Sequence, residues 1–129
     1  IEHLPHPPDL VRDIHRILKP GGIFAFSTHN VDSWATRLMG TRYPFFMDMH
    51  VVHFSKKTIK TLLEQEGYEL LGIHTHHRIL RMGYFLEKLA GNFPVGKGMI
   101  RKLAAGRMIG NRFIRIGFLG LVNVFARKK

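Results

Sequence analysis

The sequence predicts an α/β protein of the doubly wound class, and three observations lead to this prediction. From Pro7 to Leu18, apolar side chains recur at intervals of three and four, which is typical of an amphipathic helix. Pro20-Gly21-Gly22 then ends the helix and reverses the chain. Ile23 to Phe26 follow as an almost wholly apolar run, which indicates a strand buried on both faces of a parallel sheet. The predicted buried face of the helix consists of Leu10, Ile14, Ile17 and Leu18.

Small polar residues follow this strand, from Ser27 to Asn30. In doubly wound sheets, ligands are bound just beyond the carboxyl ends of the strands. We therefore expect a ligand to be bound at this end of the strand. The remaining predicted elements are a helix over Val31–Met39 capped by Asn30, an aromatic-rich loop over Gly40–Asp48, a helix over Lys56–Glu66 capped by Ser55 and followed by Gly67, a strand over Tyr68–Thr75, and a closing strand over Ile114–Ala126.

Composition limits the class of protein and its location. The chain has 129 residues, 45% of them hydrophobic, which suits one domain with a modest core. It contains no cysteine, so disulfide bonds and thiolate metal sites are excluded. No apolar run approaches the ~18 residues that a membrane-spanning helix needs. We expect a cytoplasmic protein that can contact a membrane only peripherally.

The net charge of +11 is concentrated in one part of the chain. Eight basic residues balance eight acidic ones from Ile1 to Ile73, whereas His74 to Phe113 contains eight basic residues and one acid, Glu87. We interpret residues 77–113 as a basic helical insertion or lid, with helices over Ile79–Leu89 and Met99–Ile109 and a break over Gly91–Gly98. It could rest on an anionic membrane, face nucleic acid, or form a solvated subdomain packed on the sheet or on a second subunit. We expect no nucleic-acid partner.

Several short stretches together resemble the C-terminal half of a class I S-adenosylmethionine-dependent methyltransferase. They are Ile1-Glu2-His3-Leu4, Leu18-Lys19-Pro20-Gly21-Gly22, Ser27-Thr28-His29-Asn30, His50 with Phe54-Ser55, Leu62-Leu63 and Gly67-Tyr68. The resemblance is greatest to the branch that includes the ubiquinone-biosynthesis O-methyltransferases. It covers residues 1 to about 75 and, less closely, the closing strand.

The resemblance implies the C-terminal part of a Rossmann-like sheet. Ile23–Ser27 would be the fifth, parallel strand, and Tyr68–Thr75 the sixth. Ile116–Ala126 would be the seventh, inserted between them and closing an antiparallel hairpin. The glycine-rich loop that holds the cofactor would precede Ile1, so we expect the chain to be a piece of a longer protein with the N-terminal half of the domain as its partner.

The resemblance also implies the cofactor, S-adenosylmethionine, and its contacts. Ile1, Glu2 and His3 would line the cofactor pocket, although Glu2 and His3 could instead only orient the following turn. In this branch a Glu-x-x-Glu-His pattern is associated with a divalent metal. Only its last two positions are present here, and two ligands do not make a site, so we predict no metal.

Methyl transfer needs a deprotonated acceptor, and histidine is a suitable base near neutral pH. His50 and His29 are therefore the candidate catalytic residues, although His50 could instead be an ordinary loop histidine bonded to backbone. Asn30, Trp34, Tyr43 and Phe46 are the candidate substrate-binding residues. Asn30 could instead only cap the next helix, and the three aromatic residues could form a small core beneath the loop. The predicted function is methyl transfer to a small or lipid-linked acceptor, with this chain alone inactive. The alternative is a non-enzymatic α/β fragment or a membrane-associated binding module.

Overall fold

A computed structural model describes residues 1–43, 46, 50–92, 97–117 and 120–129. Helices and strands are mixed along the first part of the chain, as the α/β prediction requires. The elements are α1 (Pro7–Ile17), β1 (Ile23–His29), α2 (Trp34–Met39), α3 (Lys56–Gln65), β2 (Tyr68–Thr75), β3 (Arg78–Arg81), α4 (Met82–Asn92), α5 (Lys97–Ala105), α6 (Arg107–Gly110), β4 (Phe113–Ile116) and β5 (Leu121–Lys128). A single 3-10 turn, Gly40–Arg42, follows α2.

The main sheet has three strands in the order β1-β5-β2. β5 is antiparallel to both neighbours, so β1 and β2 run in the same direction. The register places Ser27 opposite Asn123 and Phe24 opposite Ala126. The closing strand therefore occupies the position between its neighbours that the resemblance implies, although it spans Leu121–Lys128 rather than Ile116–Ala126.

One face of this sheet packs on α1 and α3. The buried cluster consists of Val11, Phe24, Phe54, Ile59, Leu63, Tyr68, Val122, Val124 and Ala126. On the other face Ile23 is 49% exposed, and Ala25 and Ser27 are exposed as well. The prediction that Ile23 to Phe26 are buried on both faces is therefore wrong for the described structure. Side chains alternate along a strand, and the two helices cover only one of its faces.

α1 is present as predicted, but its buried face is rotated. Val11 is completely buried, and Ile14 and Leu18 pack at the edge of the core, whereas Leu10 is exposed and Ile17 is 73% exposed. The spacing of 11, 14 and 18 fits the helical period as well as the predicted set does, so the apolar pattern alone could not select between them. The two prolines occupy the first turn, as expected.

α3 agrees closely with its prediction. Ser55 caps it: its hydroxyl accepts a hydrogen bond from the Thr58 amide at 3.1 Å, and the Thr58 hydroxyl accepts one from the Ser55 amide at 2.8 Å. Ile59 and Leu63 are buried in the core, and Leu62 packs against it. Gly67 follows the helix at φ +81°, a left-handed conformation that glycine adopts without strain.

The basic segment differs from its prediction because it begins with a strand. β3 (Arg78–Arg81) pairs antiparallel with β4 (Phe113–Ile116), so the predicted helix from Ile79 starts only at Met82. The second predicted helix also divides, because Gly106 separates α5 from α6. The single closing strand predicted from Ile114 is likewise two strands, β4 and β5. Residues 93–96 of the predicted break, and Phe118 and Leu119, lie outside the described structure.

Two further predictions concern the segment after β1. The helix starts at Trp34 rather than Val31, and Ser33, not Asn30, is its N-cap: the Ser33 hydroxyl accepts from the Thr36 amide at 3.1 Å. The predicted loop over Gly40–Asp48 begins with the 3-10 turn. Pro44, Phe45, Met47 and Asp48 of that loop lie outside the described residues.

Candidate functional site at the carboxyl end of β1

Three side chains from separate elements meet just beyond β1. Glu2 comes from the N-terminal turn, His29 ends β1, and His50 lies in the segment before α3. One nitrogen or oxygen atom of each lies within 4.8 Å of the corresponding atoms of the other two. No other group of three histidine or acidic side chains comes this close in the part of the chain that the structure describes. We call these three residues the Glu2 cluster.

The Glu2 carboxylate is held in place from both sides. Its Oε2 accepts a hydrogen bond from Thr28 Oγ1 at 3.1 Å, and its Oε1 lies 3.7 Å from Nδ1 of His29. Burial raises the pKa of Glu2, whereas hydrogen bonds from its own backbone amide and from Thr28 lower it. The backbone carbonyl of Glu2 accepts from the Val52 amide at 3.2 Å, which ties the N-terminal turn to the segment containing His50.

His50 is buried between two other imidazole rings. Its centroid lies 4.8 Å from that of His3 in an edge-on contact and 5.4 Å from that of His29. Burial lowers the pKa of His29, and the charges of His50 and Arg78 lower it further, while Glu2 opposes them. These effects together favour the neutral form of His29.

Aromatic side chains flank the Glu2 cluster. The ring of Tyr43 is buried 6.5 Å from that of His29 and 5.2 Å from that of Phe46. Burial raises the pKa of Tyr43 to about 12, so its hydroxyl stays protonated under ordinary conditions. Phe46 in turn contacts His53 at 5.0 Å. Of the predicted aromatic residues, Tyr43 therefore lies beside the candidate catalytic His29, and Phe46 packs against Tyr43.

Asn30 and Trp34 lie at a neighbouring cavity of about 280 Å³. Its lining also includes Ser33, Lys56 and Gly120. Asn30 is buried and positioned by its backbone amide, which donates to the Gly120 carbonyl at 2.7 Å, while its side-chain oxygen accepts from the Asp32 amide at 3.2 Å. Trp34 is 59% exposed. These two predicted substrate residues thus share a cavity, apart from the aromatic pair.

The cofactor contacts predicted for Ile1, Glu2 and His3 stay a prediction. In the structure the Glu2 carboxylate faces His29, and Ile1 packs at the edge of the core. Thr28, which was not among the predicted site residues, is buried and positions Glu2. A polar residue at a core-facing position of an otherwise apolar strand was the available signal for Thr28.

A divalent cation, which the resemblance associates with a Glu-His pair, is compatible with the donors of the Glu2 cluster. One carboxylate and two imidazoles are ordinary ligands for a transition-metal ion. His3, the neighbour of Glu2 in sequence, lies outside this group of three and packs edge-on against His50 instead.

Comparison with known proteins agrees with this fold. Residues 1–73 match the family model described as a methyltransferase domain. The chain therefore belongs to the methyltransferase domain family, within the class I S-adenosylmethionine-dependent methyltransferases.

Two of its curated relatives are ubiquinone biosynthesis O-methyltransferases. The chain is 33% identical over 104 residues to the ubiquinone biosynthesis O-methyltransferase of Escherichia coli O6:H1, covering 77% of this chain and 41% of that protein. It is 37% identical over 62 residues to the protein of the same name from Yersinia pestis strain Pestoides F, covering 46% of this chain and 26% of the relative. The chain thus spans less than half the length of these curated relatives.

Two solved structures share the fold. A Bacillus halodurans C-125 protein described as a methyltransferase has a TM-score of 0.54 at 19% identity, with 98% of this chain and 60% of that chain covered. The YcgJ protein of Bacillus subtilis has a TM-score of 0.53 at 14% identity, with 99% of this chain and 60% of that chain covered.

Within the described residues, no helix is both long and apolar enough to cross a membrane.

Proposed function

We propose that this chain forms the acceptor side of an enzyme that transfers a methyl group from S-adenosylmethionine to a small or lipid-linked acceptor. The observation that carries the proposal is the convergence of Glu2, His29 and His50 beyond the carboxyl end of β1. Ligands are bound at this edge in sheets of this kind. Membership of the methyltransferase family supports the same reaction.

S-adenosylmethionine supplies an already activated methyl group, so the protein's main task is to position donor and acceptor. In our proposal the turn from Ile1 to His3 lies between the cofactor and the acceptor. Its backbone contact with Val52 supports this placement, because that contact links the turn to the segment that carries His50. The remaining cofactor contacts would come from the N-terminal half of the domain that the family resemblance implies.

We propose that the acceptor lies against the Glu2 cluster, with His50 and His29 as the catalytic residues. The rings of Tyr43 and Phe46 would form an apolar wall beside it, and Asn30 and Trp34 would bind a further part of the acceptor in the adjoining cavity. The relatives are named O-methyltransferases, which supports oxygen as the atom that is methylated.

Calorimetry with S-adenosylmethionine tests this proposal. This chain and a version extended upstream to a complete sheet are compared. Binding is expected only for the extended protein, because the glycine-rich loop that cradles the cofactor is not found in the sequence from Ile1 onward. An extended, folded protein that does not bind the cofactor would contradict the proposal.

The basic segment from His77 to Phe113 supports a second proposal, contact with an anionic membrane surface. The described part of this segment exposes both basic and apolar side chains. This combination favours binding at a lipid–water interface. The exposed apolar residues are Ile79, Tyr84, Met99, Leu103, Met108, Ile109 and Phe113.

Changing Arg101 and Lys102 to glutamine should weaken binding to phosphatidylglycerol vesicles roughly 30-fold, since each basic residue near the surface contributes about 1 kcal/mol. Vesicle co-sedimentation measures this loss. The matched control changes Lys56 and Lys57 of α3, two exposed lysines outside the segment, to glutamine. Equal losses in both double variants would mean that only net charge matters and would exclude a membrane-facing role for the segment.

A further inference from the structure

Three polar side chains form a row across the main sheet, on the face that α1 and α3 leave uncovered. The hydroxyl of Ser27 in β1 donates a hydrogen bond to Oδ1 of Asn123 in β5 at 2.7 Å. Nδ1 of His76, the residue that directly follows β2, lies 2.8 Å from the same oxygen. Ser27 is exposed, and the other two side chains are half-buried. We call these three residues the open-face row.

The open-face row determines where the His76 ring carries its proton. An amide oxygen can only accept, so Nδ1 of His76 donates to Oδ1 of Asn123, and Nε2 of the neutral ring then carries a lone pair. The backbone of His76 is also held, because its amide donates to the Leu121 carbonyl at 2.9 Å. Among the described residues, no donor reaches Nε2. His76 therefore presents a fixed hydrogen-bond acceptor.

The requirements of the sheet do not account for Asn123. Asparagine is unfavourable in strands, yet Asn123 lies within β5, the central strand. Its neighbours Val122 and Val124 are buried in the core, as expected of a strand at this position. Water could satisfy the exposed and half-buried polar atoms of the row, so their hydrogen bonds contribute little to stability. These facts favour a binding role for the row over a structural one.

The open-face row extends from the Glu2 cluster along the carboxyl edge of the sheet. Ser27 precedes His29 by two residues in β1, so the two side chains share one face of the sheet. Leu121 is paired with His29 on one side and accepts the hydrogen bond from the His76 amide on the other. Two strand spacings, about 10 Å, therefore separate the backbones of the two histidines.

We infer that His76 is a specificity-determining residue, whose Nε2 accepts a hydrogen bond from an O–H or N–H group of the methyl acceptor. The inference deepens the proposed function and rests on it for the position of the reacting oxygen at the Glu2 cluster. Asn123 is a positioning residue that acts through His76. The acceptor is accordingly an elongated molecule with a hydrogen-bond donor roughly two strand spacings from the oxygen that is methylated.

Nitrogen NMR of the histidine rings tests the orientation of His76. A neutral histidine in water carries its proton mainly on Nε2, whereas the bond to Asn123 should place it on Nδ1 of His76. The upstream-extended protein is measured above the titration range of histidine. Asn123→Leu should return His76 to the ordinary tautomer, and Asn123→Asp, which keeps an acceptor oxygen, should not. A proton on Nε2 of His76 in the unmodified protein would overturn the inference.

A matched pair of compounds tests the contact with the acceptor. The probe is biphenyl with a para hydroxyl at each end, and para-phenylphenol, which lacks one hydroxyl, is its partner. The two hydroxyls of the probe span about the separation of the two histidines. Calorimetry on the upstream-extended protein, without S-adenosylmethionine, measures both dissociation constants. We expect the second hydroxyl to tighten binding roughly three- to tenfold, the effect of one ordinary hydrogen bond.

The variants separate a contact from a general effect on the site. His76→Leu should abolish the gain from the second hydroxyl and leave the affinity for para-phenylphenol unchanged. Asn123→Leu should reduce the gain, and Asn123→Asp should retain it. His74→Leu is the matched control, because it removes an exposed histidine of the same strand whose ring contacts Phe125. Circular dichroism confirms that each variant is folded.

Three binding results would overturn the inference: an undiminished gain in His76→Leu, an equal loss in His74→Leu, or failure of both compounds to bind. Because no cofactor is present, each of these results is distinguishable from a failure of the extended protein to bind S-adenosylmethionine, which would contradict the proposed function instead.

Discussion

Replacing His50 by alanine in the upstream-extended enzyme is expected to lower kcat for methyl transfer by roughly a hundredfold or more. The His50 ring is buried between His3 and His29, so its loss removes one member of the Glu2 cluster and also the packing that orients His29 toward Glu2. A displacement of about 1 Å in a reacting site can by itself cost roughly a hundredfold in rate. Methyl transfer from labelled S-adenosylmethionine measures the effect.

The control for this prediction is His53→Ala, from the same segment. The His53 ring contacts Phe46 and lies 6.4 Å from that of His50, and His53 is not a member of the Glu2 cluster. We expect its kcat to stay within a few-fold of the parent. If His50→Ala raised only the KM for the acceptor and left kcat unchanged, His50 would be a binding residue and not a catalytic one.

The site was predictable in part, because strand ends and caps are local features. His29 follows an apolar strand and His50 precedes the cap residue Ser55, and both signals can be read from neighbouring residues. The position of Glu2 opposite His29 depends on how the N-terminal turn packs against the segment at Val52. That contact joins residues fifty positions apart, and no periodicity in the sequence reports it.

The helices and strands also divide into those that neighbouring residues predict and those that depend on contacts distant in sequence. Capping chemistry identified α3 correctly because Ser55 and Thr58 satisfy each other's backbone amides. Arg78–Arg81 became a strand because Phe113–Ile116 lies alongside it, a pairing across more than thirty residues. Its apolar spacing fits a helix equally well, so the tertiary contact decided the structure.

Replacing Gly120 by alanine is expected to be strongly destabilising and to disturb the acceptor side of the site. Gly120 has φ +70°, where an alanine costs about 1–2 kcal/mol. Its added Cβ would also lie 2.6 Å from Ser33 Oγ and 3.0 Å from the Asn30 carbonyl oxygen. Those atoms belong to the N-cap of α2 and to a backbone segment held by the Gly120 carbonyl, so neither can move freely.

Gly21→Ala separates the two causes of this effect. Gly21 has a similar φ of +75°, but its added Cβ would meet no atom within 4 Å. Urea unfolding should therefore show a loss of about 1–2 kcal/mol in Gly21→Ala and a larger loss in Gly120→Ala. Trp34 is the single tryptophan of the chain and directly follows Ser33, so its fluorescence should shift in the folded Gly120 variant alone. Equal destabilisation of the two variants with unchanged emission would contradict this prediction. It would mean that the clash is relieved without moving α2, and that the cavity at Asn30 and Trp34 has room for the added methyl group.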